Sequence, residues 1–162
     1  MLNVLFLCTG NSARSILAEA LLNHAPIGGG RFRAFSAGSH PKGTIDPLAL
    51  EQLDEHHVPT GGLRSKSWDE FTGPGAPQMH FVFTVCDQAG AEPCPVWPGH
   101  PMTAHWGVPD PAAVTDSDES RRHAFKEAAL ILSRRIELFV SLPLDTSTRQ
   151  AIRDRLDEIG RQ

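Results

Sequence analysis

The sequence predicts an α/β fold built on a mainly parallel sheet. Three observations carry that prediction. Short apolar runs alternate along the chain with segments of helical period, as strand–helix–strand units require. The first run is unbroken, as in a strand buried on both faces, and the third also reads as a buried strand. The 162 residues suffice for one domain with one core and would crowd two.

The elements follow in order. Asn3, Val4, Leu5, Phe6 and Leu7, ending at Cys8, read as a buried strand, and Thr9, Gly10, Asn11 and Ser12 supply a turn. From Ala13 the period becomes helical, with Ile16, Leu17, Ala20 and Leu21 on one face, until Pro26 and the glycines at 28–30. Phe32, Ala34 and Ser36 alternate with Arg33 and Phe35 in a second strand, stopped at Ala37-Gly38. Asp46 as cap and Pro47 in the first turn begin a helix that carries Leu50 and Leu53 to about His57. A polar stretch over 60–77 is anchored by Trp68 and Phe71. Residues 80–86 read as a third buried strand, and 87–101 are rich in Gly, Ala and Pro. A short fourth strand is expected at 102–108, broken by Pro109-Asp110-Pro111. Phe125, Ala128, Ala129, Leu132, Ile136, Phe139 and Val140 mark a long helix. After Leu142-Pro143, Thr146 or Ser147 is expected to cap a last helix near 147–160, with Ile152, Leu156 and Ile159 inward. The expected organisation is one domain over 1–162 with this helix as an addition.

Composition excludes several classes. Fifteen basic against 19 acidic side chains leave a net charge of -4, which argues against an electrostatic grip on nucleic acid. No apolar run is long enough for a membrane span, and the start lacks a basic leader and a cleavage site. Three cysteines cannot all pair within the chain, so a disulfide framework is not the simple reading; reduced thiols in a cytosol are. His24, His56 and His57 read as surface or helix-end residues.

Chemistry concentrates at Cys8-Thr9-Gly10-Asn11-Ser12-Ala13-Arg14-Ser15, between a strand and a helix. Cysteine, five residues and arginine can wrap a backbone turn around a tetrahedral oxyanion. Successive N–H groups point inward, and the helix presents its positive end. Arg14 can hold two oxygens through its planar fork. The same field is expected to favour the Cys8 thiolate, with Ser15 as a hydrogen-bond donor to it. Gly10 allows a tight turn, and Asn11 tolerates a left-handed backbone. A buried structural cysteine with a surface arginine would leave Gly10, Asn11 and Ser12 unexplained. Asp110, in its Pro-Asp-Pro loop after a predicted strand, is the candidate acid for a leaving oxygen.

The loop from Cys8 through Ser15, the strand–loop–helix start and the late Asp110-Pro111 together resemble the low-molecular-weight protein tyrosine phosphatases over roughly residues 1 to 141. The resemblance implies a three-layer fold with a four-stranded parallel sheet in the order 2-1-3-4, flanked by helices. It places the strand ending at Cys86 beside the one ending at Cys8.

A phosphatase has no chemical need for Cys86 and Cys94; a reductase does. The segment from Val85 through Cys86 and Cys94 to Pro98, His105-Trp106-Gly107, Asp110-Pro111 and Ser65-Lys66-Ser67-Trp68 resemble the arsenate reductases built on that fold. The resemblance implies attack of Cys8 on arsenate, a Cys8–Cys86 disulfide as arsenite leaves, and a Cys86–Cys94 disulfide for an external thiol reductant. Thioredoxin is the first candidate and glutaredoxin with a small thiol the second. Seven residues separate Cys86 from Cys94 where the family pattern has six, and Ala13 stands where a cysteine is frequent. A regular helix would hold ends eight residues apart at about 12 Å, and a disulfide needs Cα atoms within about 7 Å, so the segment is expected to bend or unwind on oxidation. No cofactor is required. Some members hold a potassium ion beside the loop; Asn11, Glu19, Ser36 and Asp69 are the matching residues, with solvated charge the plainer reading of Glu19 and Asp69.

Three rivals remain. An ordinary phosphatase would hydrolyse phosphomonoesters through a Cys8 phosphoenzyme, but Ala112 and Ala113 replace the tyrosine pair that often follows its Asp-Pro. A zinc module would use Cys86, Cys94, His100 and His105, although the cysteine spacing is long for one. A non-catalytic oxyanion sensor would not need Cys8, Arg14 and Asp110 intact.

Overall fold

In the computed structural model the described residues are 1–86 and 97–162. β1 (Leu2–Cys8) is the spine of the sheet. It pairs in parallel with β2 (Phe32–Gly38) and β3 (Phe81–Thr84), and β3 pairs in parallel with β4 (Met102–His105). The order is β2-β1-β3-β4. Four helices follow the expected segments: α1 (Arg14–Asn23), α2 (Pro47–Glu55), α3 (Asp118–Val140) and α4 (Arg149–Gly160).

The apolar run of β1 is explained by its two faces. Val4 and Phe6 enter a core shared with α1, α2, α3 and α4. Leu5 and Leu7 enter a smaller cluster with Ala37, Phe71, Met79, Val82 and Trp97. Phe71 closes a 3-10 turn (Trp68–Phe71), and Trp68 meets Trp97 edge-on at 6.4 Å. The two expected anchors of the polar stretch therefore cover the second face of the sheet.

Some boundaries differ from expectation. β4 ends at His105, not 108; Trp106 N and Val108 N still bond Thr84 O and Val85 O at 2.7 and 3.0 Å, but the regular ladder has stopped. β3 is limited to Phe81–Thr84 for the same reason. α2 stops at Glu55, and His57 then turns the chain with a positive φ of 57°. Thr148, not Thr146 or Ser147, caps α4 by accepting from Ala151 N at 3.1 Å; Ser147 Oγ donates to Pro143 O instead.

α4 packs against β4. Trp106 stacks on Phe83 at 4.0 Å and donates its indole N–H to Leu156 O at 3.0 Å. Gly160 is required there: a Cβ would lie 2.3 Å from His105 O. The buried Arg135 of α3 donates to the carbonyls of Trp106 and Gly107, fixing the approach to Pro109. Among the described residues, no helix is long and apolar enough to cross a membrane.

Because every strand runs the same way, Cys8, Gly38, Thr84 and His105 end at one edge of the sheet. Ligands of open parallel sheets bind beyond that edge.

Candidate active site

The loop from Cys8 to Ser15 is shaped by its outward carbonyls. Thr9 O accepts from His40 N, Gly10 O from Lys42 N, Ser12 O from Asp46 N and Ala13 O from Leu17 N, all within 3.0 Å. Among the described residues, the N–H groups of Asn11, Ser12 and Ala13 donate to no other protein group. Ala13 is the N-cap of α1 and offers no side-chain acceptor, so the positive end of the helix is left open to a ligand. Gly38, at the end of β2, could carry no Cβ, which would lie 2.5 Å from Thr9 O.

Asn11 braces this loop. Its φ is 45°, in the left-handed region that asparagine tolerates. Its Nδ2 donates to Ser15 Oγ at 2.7 Å and Ser36 Oγ at 3.0 Å, and its Oδ1 accepts from Lys66 N at 2.9 Å. Ser15 was expected to donate to Cys8; its oxygen accepts from Asn11, which leaves its proton available.

Arg14 Nη1 donates to Val108 O at 2.9 Å, and Nη2 lies 3.7 Å from Asp110 Oδ2. Among the described residues, Arg14 Nε is buried with no partner, a donor suited to an anion. Asp110 is held at its other oxygen by Ala112 N at 3.0 Å, and its side chain is 44% exposed. Cys8, Arg14 and Asp110 thus lie at one sheet edge, although Asp110 is 96 residues further along than Arg14.

Cys86 joins them. Both thiols are buried, Cys86 hydrogen-bonds Cys8, and Thr9 Oγ1 lies 3.7 Å from Cys86 Sγ. The Cys8 thiol is pushed up, first by the hydrogen bond with Cys86 and then by burial; Arg14 and the Gly10 N–H pull it down. The expected preference for thiolate is therefore opposed by the neighbouring thiol of Cys86, which the loop sequence does not contain. Cys94 lies outside the described residues.

Of the four residues considered for potassium, Asn11, Glu19 and Ser36 come together: Ser36 Oγ donates to Glu19 Oε1 at 2.5 Å. Asp69 does not join them; it is exposed, and its N–H is taken by Ser67 Oγ. The Lys66 ammonium stands 3.7 Å from Glu19 Oε1. This donor set does not fit an additional alkali cation, because a positive charge already faces the only carboxylate in it. In the sequence Lys66 stands out only within Ser65-Lys66-Ser67-Trp68; its place here follows from a contact between distant segments.

The zinc grouping is not assembled among the described residues. His100 precedes the amino end of β4 and His105 stands at its carboxyl end, where Nδ1 bonds Thr84 Oγ1 at 2.7 Å. No three described His, Cys, Asp or Glu residues are placed to hold a metal.

Residues 3–145 match the family described as low molecular weight phosphotyrosine protein phosphatase. The chain is 30% identical over 136 residues to an arsenate reductase of Oceanobacillus iheyensis, covering 84% of this chain and 93% of that protein. Its fold is similar to an arsenate reductase solved in the phosphate binding state, with TM-score 0.66 at 22% identity over 87% of this chain and 98% of that one. It is about as similar to a low molecular weight protein tyrosine phosphatase from T. tengcongensis, with TM-score 0.65 at 24% identity over 85% and 96%. Fold likeness alone does not separate the two activities, but the sequence match and the sheet order agree: this chain belongs to the low molecular weight phosphotyrosine protein phosphatase family.

Proposed function

We propose that the protein reduces arsenate to arsenite through Cys8, Cys86 and Cys94, in a reducing compartment such as the cytosol. The observation that carries this reading is the hydrogen-bonded pair of buried thiols, Cys8 at the end of β1 and Cys86 just after the adjacent parallel β3. Phosphate ester hydrolysis uses one thiol; a two-electron reduction uses two. The arsenate reductase relatives support the same choice.

The steps are these. The loop amides and Arg14 hold the oxyanion, and one proton leaves the Cys8–Cys86 pair. The Cys8 thiolate attacks arsenic, an As–O bond breaks, and Asp110 protonates the departing oxygen, which leaves as water. Cys86 then gives its own proton to water and attacks Cys8 Sγ as thiolate. The S–S bond forms, the S–As bond breaks, and its electron pair stays on arsenic, which departs as arsenite. Cys94 attacks Cys86, restoring Cys8 and leaving a Cys86–Cys94 disulfide. An external dithiol of the thioredoxin type, or glutaredoxin with a small thiol, takes over the oxidising equivalents.

Arsenate turnover with thioredoxin, and separately with glutaredoxin and glutathione, tests this for wild type and the Cys8→Ser, Cys86→Ser and Cys94→Ser variants. Cys8→Ser should lose on the order of 10⁴-fold or more in kcat, and the other two should lose catalytic turnover while still binding phosphate. Full turnover by Cys86→Ser would reject the relay. Strong aryl phosphate hydrolysis without arsenate reduction would favour the phosphatase.

A further inference from the structure

Buried behind the oxyanion loop is a closed polar cluster of Asn11, Ser36, Glu19 and Lys66. Asn11 and Ser36 are fully buried, and Lys66 is 8% exposed despite its charge. Its ammonium faces two oxygens, Arg64 O at 2.9 Å and Glu19 Oε1 at 3.7 Å. Its backbone is tied to the same region: N–H donates to Asn11 Oδ1 and C=O accepts from Gly38 N, both at 2.9 Å. One residue thus fixes the loop brace through its backbone and neutralises the carboxylate behind that brace through its side chain.

We propose that Lys66 is the built-in counter-cation of the oxyanion loop, a positioning residue that makes oxyanion binding by this chain independent of any alkali-metal ion. A carboxylate in so enclosed a place needs a positive partner. Among the described residues, Lys66 is the cation in salt-bridge range of Glu19. An ammonium and a potassium ion carry the same charge and are both satisfied by oxygen donors. Placing both at one carboxylate would add like-charge repulsion to the desolvation of each. Burial pushes Glu19 up and Lys66 down, while the Ser36 hydrogen bond and Lys66 draw Glu19 back and Glu19 draws Lys66 back. From Glu19 the chain of contacts runs through Ser36 to Asn11 Nδ2 and so to the crown of the loop. Lys66 therefore acts on the anion through Asn11 and touches no substrate.

The inference rests on reading residues 8–15 as an oxyanion loop and does not depend on the thiol relay. Binding of inorganic phosphate to the reduced full-length protein tests it, by titration calorimetry at fixed ionic strength in potassium, sodium or choline chloride. Wild type should bind phosphate equally in all three salts. Lys66→Ala should bind about tenfold more weakly in choline chloride, the scale seen when a residue supporting the direct ligands is lost. Potassium should recover part of that loss, because the truncated side chain makes room for an ion. Lys66→Met, which fills the space without charge, should be weakened and not rescued. Glu19→Gln combined with Lys66→Met should bind better than Lys66→Met alone, since the uncompensated carboxylate is gone; this pair also serves if Lys66→Ala does not fold. Wild-type binding that strengthens severalfold in potassium over choline overturns the proposal, as does a Lys66→Ala protein that binds phosphate like wild type in choline. Wild type that binds no phosphate in any salt overturns the loop assignment, and Lys66 with it, so the two failures are distinguishable.

Discussion

Cys8 holds its proton more tightly than an isolated thiol, chiefly because Cys86 bonds to it and then because it is buried. Two thiols in contact titrate as a pair, and the second proton is the harder to remove. The direction gives a sign for stability. The folded chain keeps a proton that the unfolded chain gives up near 9.0, so this contribution is fully present below that value and is lost as pH rises past it. It also gives a test. Cys86→Ala removes the largest upward cause, so the pH midpoint for iodoacetamide alkylation of Cys8, followed by peptide mass spectrometry, should move down; an unmoved midpoint would sink the coupling. At this scale the sequence displayed part of the site. Cys8, Arg14 and the residues between them sit at a strand–loop–helix junction, where a local motif has a local geometry. Lys66 sits in a polar stretch without period, and its role comes from contacts across the fold. Asp69, chosen by resemblance, falls three residues later on the exposed side of a 3-10 turn.

Each element was easier to recognise than its neighbours were. The spacing of Ile152, Leu156 and Ile159 announces an amphipathic helix, and all three are buried. Nothing in that spacing names β4 as the surface they cover, because choice of partner is non-local. The contact has a measurable size. Leu156 is fully buried and its carbonyl holds the Trp106 indole. Leu156→Ala should lower unfolding free energy by about 2–5 kcal/mol in urea titration, and a loss below about 0.5 kcal/mol, within the range of surface changes, would mean that α4 adds little to the core. The end of β4 was less legible. Met102 to Val108 reads as one run, and after His105 the chain does go on bonding, Trp106 to the end of β3 and Val108 to Val85 just past it, outside a regular ladder. The fourth strand is thus the weakest written of the four, while β1, apolar on both faces, is the plainest.

At the scale of the molecule, parallel strands deliver residues far apart in sequence to one edge, and binding there should be felt by the whole fold. Inorganic phosphate at about a hundred times its Kd should add about 2.7 kcal/mol to stability, read as a rise in Tm. Arg14→Met should abolish most of that rise; an equal rise in the variant would show that the anion binds elsewhere. The carbonyls of Thr9, Gly10 and Ser12 have a further consequence. They are already taken by amides from 40, 42 and 46, so the entropy of shaping the loop is lost when the chain folds and not when the anion arrives. On the proposed reading of residues 8–15, an approaching oxyanion meets a loop already shaped by these bonds. What remains to slow its capture is diffusion and the stripping of its own water, and no rearrangement of the cradle.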